Sequence, residues 1–250
     1  MDTPLHNEFQ THLPPISEIW VYLSGSPLLA LVLTLSAYLL GLTLYERSQR
    51  NPLANPVLIA VVVVTLSISV LDMPYAKYFE GAQFVHFLLG TATVSLAIPI
   101  YKGFASLKGR MGVLLLSLVA GGITSVFTAV GVARGLGVDE SLVRGLVAKS
   151  VTAPIAMGIA ERVQASPTLT AIFAVSTGIL GAILGRYVLD ALRVTQWWQR
   201  GFALGVAAHG IGTSRAFSVH PEAGAYASLG MGLHGIVGAV VIPYAVAWWF

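Results

Sequence analysis

Apolar residues run along this chain in long blocks rather than in alternation with polar ones. Six stretches contain no Asp, Glu, Lys or Arg: 19–45, 51–71, 81–101, 111–133, 163–185 and 223–250. Two more are apolar but interrupted, 142–160 by Arg144 and Lys149 and 201–217 by Arg215. A helix needs about 20 apolar residues to cross roughly 30 Å of hydrocarbon. The pattern therefore predicts an all-α integral membrane protein with about eight transmembrane helices. Residues 1–27 read as a polar N-terminal segment and 28–250 as a single transmembrane domain.

Composition supports this division. Apolar residues make up 56% of the chain and charged residues 10%, against roughly 25% charged in an ordinary soluble domain. There are no cysteines, so neither a disulfide framework nor thiol chemistry is available. The net charge of +3 resides in loops and calls for no nucleic acid. Residues 1–19 carry Asp2, Glu8 and Glu18 but no Lys or Arg. A signal peptide would begin with a positive region, so the first span is expected to remain as a membrane helix. Arg47 and Arg50 follow the first span, and Lys102, Lys108 and Arg110 follow the third. Cytoplasmic loops are enriched in Lys and Arg, which puts the N-terminus outside. The second half obeys that rule less well: Arg134, Arg144, Arg193 and Arg200 flank segments that simple alternation would place outside. Either basic residues lie outside there, or one apolar segment is re-entrant. The pairs Trp197-Trp198 and Trp248-Trp249 read as interfacial anchors.

Three segments carry more than lipid contact requires. In the first, Thr91, Thr93 and Ser95 precede Pro99, and a proline in a membrane helix frees a carbonyl that neighbours must satisfy. In the second, Lys149, Ser150 and Thr152 precede Pro154, and a Lys inside an apolar span is costly unless it faces a polar cavity. The two runs echo each other, each leading through hydroxyls into Pro-Ile. Such Pro-interrupted segments, one per half, are the pattern of inverted repeats whose broken helices form a transport site. Pro99 and Pro154 are therefore expected to mark helix breaks near the bilayer midplane. Free N–H groups at such a break attract anions.

The third segment is residues 209–216, His-Gly-Ile-Gly-Thr-Ser-Arg-Ala. Gly210 and Gly212 let the backbone unwind cheaply. Thr213 and Ser214 supply hydroxyls, and Arg215 offers a planar fork matching a carboxylate. Glu222 stands close enough in sequence to pair with Arg215 or Lys149, or to accept a proton. His209 changes charge near neutral pH and, with Glu222, is the candidate for a coupling proton. His86 and His234 read as packing residues. No phosphate loop, nucleophile elbow or metal-ligand spacing is present, so neither an enzyme nor a cofactor nor a metal is expected. Gly178, Gly181 and Gly185 form a small-residue face of the kind that lets membrane helices approach closely, and a homodimer through such faces is expected.

At these segments the chain resembles the LrgB/CidB family of membrane proteins, which includes holin-like and antiholin-like bacterial proteins and the plant plastid glycolate/glycerate translocator. The likeness rests on residues 88–101, 149–156, 209–216 and 222–231 and extends over nearly the whole chain. Thr91 stands where the family has proline and Ala153 where it has threonine, with small-residue exchanges at Gly210, Ser214 and Gly230. The resemblance implies a multi-pass protein of the bacterial inner membrane. It implies export or exchange of small 2-hydroxy monocarboxylates such as glycolate or glycerate, to which His209 and Glu222 would add proton coupling. The alternative it implies is a holin-like protein regulating murein hydrolase export and lysis, alongside a short LrgA/CidA-like partner. On the first reading Thr91, Thr93, Lys149, Ser150, Thr152, His209, Gly212, Thr213, Ser214 and Arg215 bind the substrate, with Lys149 and Arg215 sharing its carboxylate.

Overall fold

The computed structural model describes residues 27–95, 98, 101 and 109–249, with side chains at all of these except 86, 89, 90, 92 and 93. Every regular element among the described residues is a helix: α1 (Pro27–Arg47), α2 (Pro56–Val70), α3 (Tyr75–Ser95), α4 (Met111–Gly135), α5 (Glu140–Leu146), α6 (Ala153–Arg162), α7 (Pro167–Ala191), α8 (Trp197–Val219) and α9 (Pro221–Trp249). Of these, α1, α4, α7 and α9 are long and apolar enough to cross a membrane, and α2 is a shorter apolar helix. The all-helical membrane class holds. Helix starts follow local chemistry. Asn55 Oδ1 accepts from the N–H groups of Val57 and Leu58 ahead of α2, and Ser166 Oγ accepts from Leu169 ahead of α7. Both helices, like α6, take a proline in the first turn, where its missing N–H has no intrahelical partner to lose. Asp139 caps α5, and hydrogen bonds from the Ser141 hydroxyl and N–H hold its carboxyl below the ordinary range.

Side-chain contacts fix the direction in which each helix runs. One end of the molecule gathers Tyr45 and Arg50 at Ser218, and Arg110 over the Trp198 ring at 4.9 Å. The Trp197 ring stacks on His220 at the same end, with centroids 4.9 Å apart. At the other end Phe127 and Arg134 lie against Trp249, and Arg134 pairs with Glu140 at 2.8 Å. Thus α4 and α9 both run from the first, basic end to the second. Helix α7 runs back, bringing Asp190 to within 2.7 Å of Arg200.

The two interrupted apolar segments are not crossings, which corrects the expected count of about eight. Helix α8 breaks at His209, whose backbone sits at φ 40 and ψ −129. A straight helix rises about 1.5 Å per residue, which would hold Trp197 and His220 tens of ångströms apart; instead their rings stack. A Cβ added to Gly212 would lie 2.6 Å from the Leu204 carbonyl. Residues 197–208 and 210–219 are therefore the two arms of a re-entrant hairpin that enters from the basic end. Helices α5 and α6 form a second hairpin, entering from the opposite end around a turn at 147–152. Gly145 lies against Thr170 in the first turn of α7, and α6 ends shortly before α7 begins.

Glycine makes the first hairpin possible. A Cβ at Gly201 would lie 2.0 Å from the Ala223 carbonyl, and one at Gly205 the same distance from that of Ala227. The first arm of α8 therefore rests backbone to backbone on α9, as small residues permit in a membrane. The face formed by Gly178, Gly181 and Gly185 seats His209, Ala208 and Leu204 of the same hairpin. That face, expected to serve a homodimer, is used inside one protomer.

Candidate functional site

The two hairpin tips approach each other in the interior, between α4, α7 and α9. In the turn at 147–152, Val147, Ala148, Ser150 and Val151 are buried. Lys149 Nζ donates to Ser125 Oγ of α4 at 2.9 Å, and Ser125 Oγ lies 2.8 Å from Ser150 Oγ. The cation is thus held by the Ser125 hydroxyl, with no carboxylate within salt-bridge distance among the described residues. Thr152 occupies the N-cap of α6 without a capping side-chain bond, and Pro154 sits in the first turn. The backbone therefore breaks before Pro154, and the α6 N-terminus, with its partial positive charge, opens at the tip.

The other tip is His209 itself. Its Nε2 lies 2.8 Å from the Ala174 carbonyl of α7. A carbonyl only accepts, so Nε2 carries the hydrogen. Thr213 Oγ1 donates to the His209 carbonyl at 2.7 Å, fastening the first turn of the second arm to the break. Gly178 makes room for the ring: a Cβ there would stand 2.7 Å from His209 Cε1. The second arm of α8 also begins at the tip, so two half-helix N-termini converge on the interior. The arrangement favours an anion over a cation.

His234 of α9 is also buried here, against Gly122 of α4. Gly235 and Gly238 seat Ile155 and Val151 of the other hairpin. A cavity of about 1010 Å³ leads to this region. Along α4 its wall runs from Val113 to Ser125, and along α7 from Leu189 to Thr177. It therefore extends from the basic end to Lys149, with mostly apolar walls and hydroxyls gathered at its inner part.

The structure divides the residues singled out from sequence. Lys149, Ser150 and Thr152 belong to one tip, and His209, Gly212 and Thr213 to the other. Arg215 does not join Lys149. It lines a different cavity of about 370 Å³ with Arg186, Asp190 and Arg200, and a smaller one beside Tyr45 and Ser214. Six residues beyond His209, the returning arm has already carried it towards the basic end. Ser214 is exposed. Glu222, expected opposite Arg215 or Lys149, stands 3.9 Å from Arg110 instead. Thr91 lies exposed on α3, which packs on α1, and its hydroxyl donates to the Leu88 carbonyl. The Thr93 side chain and Pro99 lie outside the described residues.

Sequence reasoning passed over Ser125 and undervalued His234. The available signals were a Thr-Ser pair in an otherwise charge-free block, and a His placed between Gly232 and Gly235.

Known proteins carry the same pattern. The LrgB-like family matches residues 34–248. The uncharacterized protein YwbG of Bacillus subtilis is 32% identical over 88% of this chain and 97% of its own length. YxaC of the same organism is 30% identical over 89% of this chain and 96% of its own. The holin-like protein CidB of Staphylococcus aureus strain N315 is 27% identical over 88% of this chain and 95% of its own. No solved structure matches.

Proposed function

Because the chain belongs to the LrgB-like family, whose likeness covers both hairpins and all of their supporting helices, we propose that these hairpins form a pathway for small organic anions across the bilayer. One observation carries this reading: Lys149, whose Nζ donates to the Ser125 hydroxyl, lies at the inner part of a cavity that extends from the basic end. A buried ammonium is costly in hydrocarbon unless a polar partner or an anion compensates it. Two helix N-termini at the tips add to the attraction. The substrate class that fits is a small monocarboxylate, its oxygens at Lys149 and a hydroxyl within reach of Ser125 and Thr177. Glycolate and glycerate are the members the family resemblance suggests. His209 is the proposed proton carrier: with Nε2 committed to Ala174, Nδ1 is the nitrogen left to bind one.

The holin-like reading is backed by the likeness to the holin-like protein CidB of Staphylococcus aureus and Staphylococcus epidermidis. On that reading the protein influences lysis and works with a short LrgA/CidA-like membrane partner. The geometry favours a pathway for anions, because lesion formation needs no buried cation held between two re-entrant tips. In either case the basic end is proposed to face the cytoplasm of a bacterial inner membrane, with the N-terminus outside. Any homodimer would have to use a surface other than the glycine face of α7.

Uptake of radiolabelled glycolate and glycerate into proteoliposomes, with and without an inward proton gradient, tests the reading. Wild-type uptake above empty liposomes, lost in Lys149→Gln at equal protein incorporation, is expected. Equal uptake by wild type, Lys149→Gln and empty liposomes, together with leakage of a neutral dye from wild-type vesicles, would favour the holin-like reading instead.

A further inference from the structure

The cavity at the basic end between α7, α8 and α9 contains charge that the anion pathway does not use. Arg186, Arg200 and Arg215 face it, with Asp190 as the acid and Trp197 at its edge. Asp190 is held by Arg200 at 2.7 Å and by Arg186 at 3.6 Å. Three guanidinium groups against one carboxylate leave about two positive charges, since Arg stays protonated throughout the accessible range. Arg215 Nη1 is shielded from solvent and has no acceptor within hydrogen-bond distance. Its guanidinium lies over the Tyr45 ring at 5.3 Å, a contact that takes up none of the hydrogen-bonding capacity of Nη1. A buried donor to which no acceptor is supplied is costly, and a cluster of this sign is stable when an anion completes it.

We propose that this cavity is a binding site for a phosphate group, distinct from the Lys149 pathway. A phosphate monoester or inorganic phosphate carries about −1.5 to −2 at neutral pH, which matches the excess charge. Its oxygens accept the paired N–H bonds that arginine presents and a lysine cannot. The site spans the end of α7 and both arms of the hairpin, so its occupant would tie those three pieces together. Its volume of about 370 Å³ exceeds what one phosphate fills and leaves room for what the phosphate is attached to. It lies at the level of Trp197, a residue type enriched where headgroups begin. Basic pockets between membrane helices on the cytoplasmic side are recognised headgroup sites. Two sources share the phosphate oxygens: the phosphodiester of an anionic phospholipid, whose single negative charge offsets about half of the excess, and inorganic phosphate free in solution, which offsets nearly all of it.

The experiment compares wild type, Arg186→Gln, the double variant Arg186→Gln/Arg215→Gln, and Arg193→Gln, an exposed arginine outside the cavity. Arg200 is kept in all of them, so Asp190 retains its 2.7 Å partner. Phosphatidylglycerol retention is read by native mass spectrometry, and the affinity for inorganic phosphate is read by the shift in thermal midpoint of delipidated protein. Losing two charge-assisted contacts weakens the affinity at least about a hundredfold. Retention of phosphatidylglycerol by wild type and Arg193→Gln, with graded loss through the single and double variants, assigns the site to a lipid headgroup. Stabilisation by millimolar inorganic phosphate with the same grading, and no preference for phosphatidylglycerol over phosphatidylcholine, assigns it to free phosphate. No binding of either probe to wild type, or binding equal in wild type and the folded single variant Arg186→Gln, overturns the proposal. Neither readout involves uptake, so the result does not depend on the transported substrate.

Discussion

His209 combines two demands that sequence alone does not reveal together. Its ring is bonded to Ala174 and its backbone occupies φ 40, ψ −129, a conformation glycine adopts freely and L side chains rarely do. Holding a non-glycine residue there costs on the order of 1–3 kcal/mol, which the ring contacts offset. His209→Gly removes both the bond and the strain, whereas His209→Ala removes only the bond. The glycine variant is therefore expected to melt at a higher temperature than the alanine variant, by thermal unfolding in detergent. Equal midpoints would mean the break is unstrained in solution. At Gly178, an added Cβ 2.7 Å from His209 Cε1 must displace the ring. Gly178→Ala should cost roughly 1–3 kcal/mol, as overpacking does, and reduce uptake along with stability. The identity of these residues as a motif was legible in the sequence. Their roles were not, because Gly210 and Gly212 offered the obvious places to unwind and the chain breaks one residue earlier, where a neighbouring carbonyl can hold the imidazole.

The elements that misled are the two shortest apolar blocks. Residues 142–160 and 201–217 have the length and hydropathy of a crossing, and nothing local distinguishes a helix that continues from one that turns back. The clue lay in charge: Arg193 and Arg200 violated the loop bias only if 142–160 crossed the bilayer. With that segment folded back, both fall at the basic end with Arg50 and Arg110. The chain lacks cysteine, so single cysteines can report this without background. Gln199→Cys and His220→Cys should react with a membrane-impermeant maleimide from the same side of sealed vesicles. Asp139→Cys and Gln164→Cys should both react from the other side. Labelling of Gln199→Cys and His220→Cys from opposite sides would refute the hairpin. The backbone contact between α8 and α9 makes a separate claim. Gly205→Leu puts a side chain where the Ala227 carbonyl stands 2.0 Å from the Cβ position. It should lower the melting temperature more than Gly158→Leu, where a Cβ meets nothing within 4 Å.

At the scale of the whole molecule, α4, α7 and α9 cross and the hairpins enter between them from opposite ends. The tips of the α5–α6 and α8 hairpins thereby face the same interior, whereas residues 96, 97, 99 and 100 of the run that echoes 148–157 lie outside the described residues. Membrane class and family were legible because they depend on composition and on short runs of residues. Tertiary pairing was not, since apolar surfaces in a bilayer carry little sequence record of which partner they meet. The hairpin of α8 has a consequence for biogenesis. Its first arm rests on Ala223 and Ala227, residues synthesised after it. While the nascent chain ends short of them, that arm has no wall, and it must wait near the membrane surface or insert in a strained state. Assembly of the interior therefore waits until α9 has been made and integrates. A chain stopped after residue 220 should still insert α4 and α7, yet leave Gln199→Cys and Gly212→Cys equally open to a water-soluble maleimide, whereas in the full chain only the first reacts.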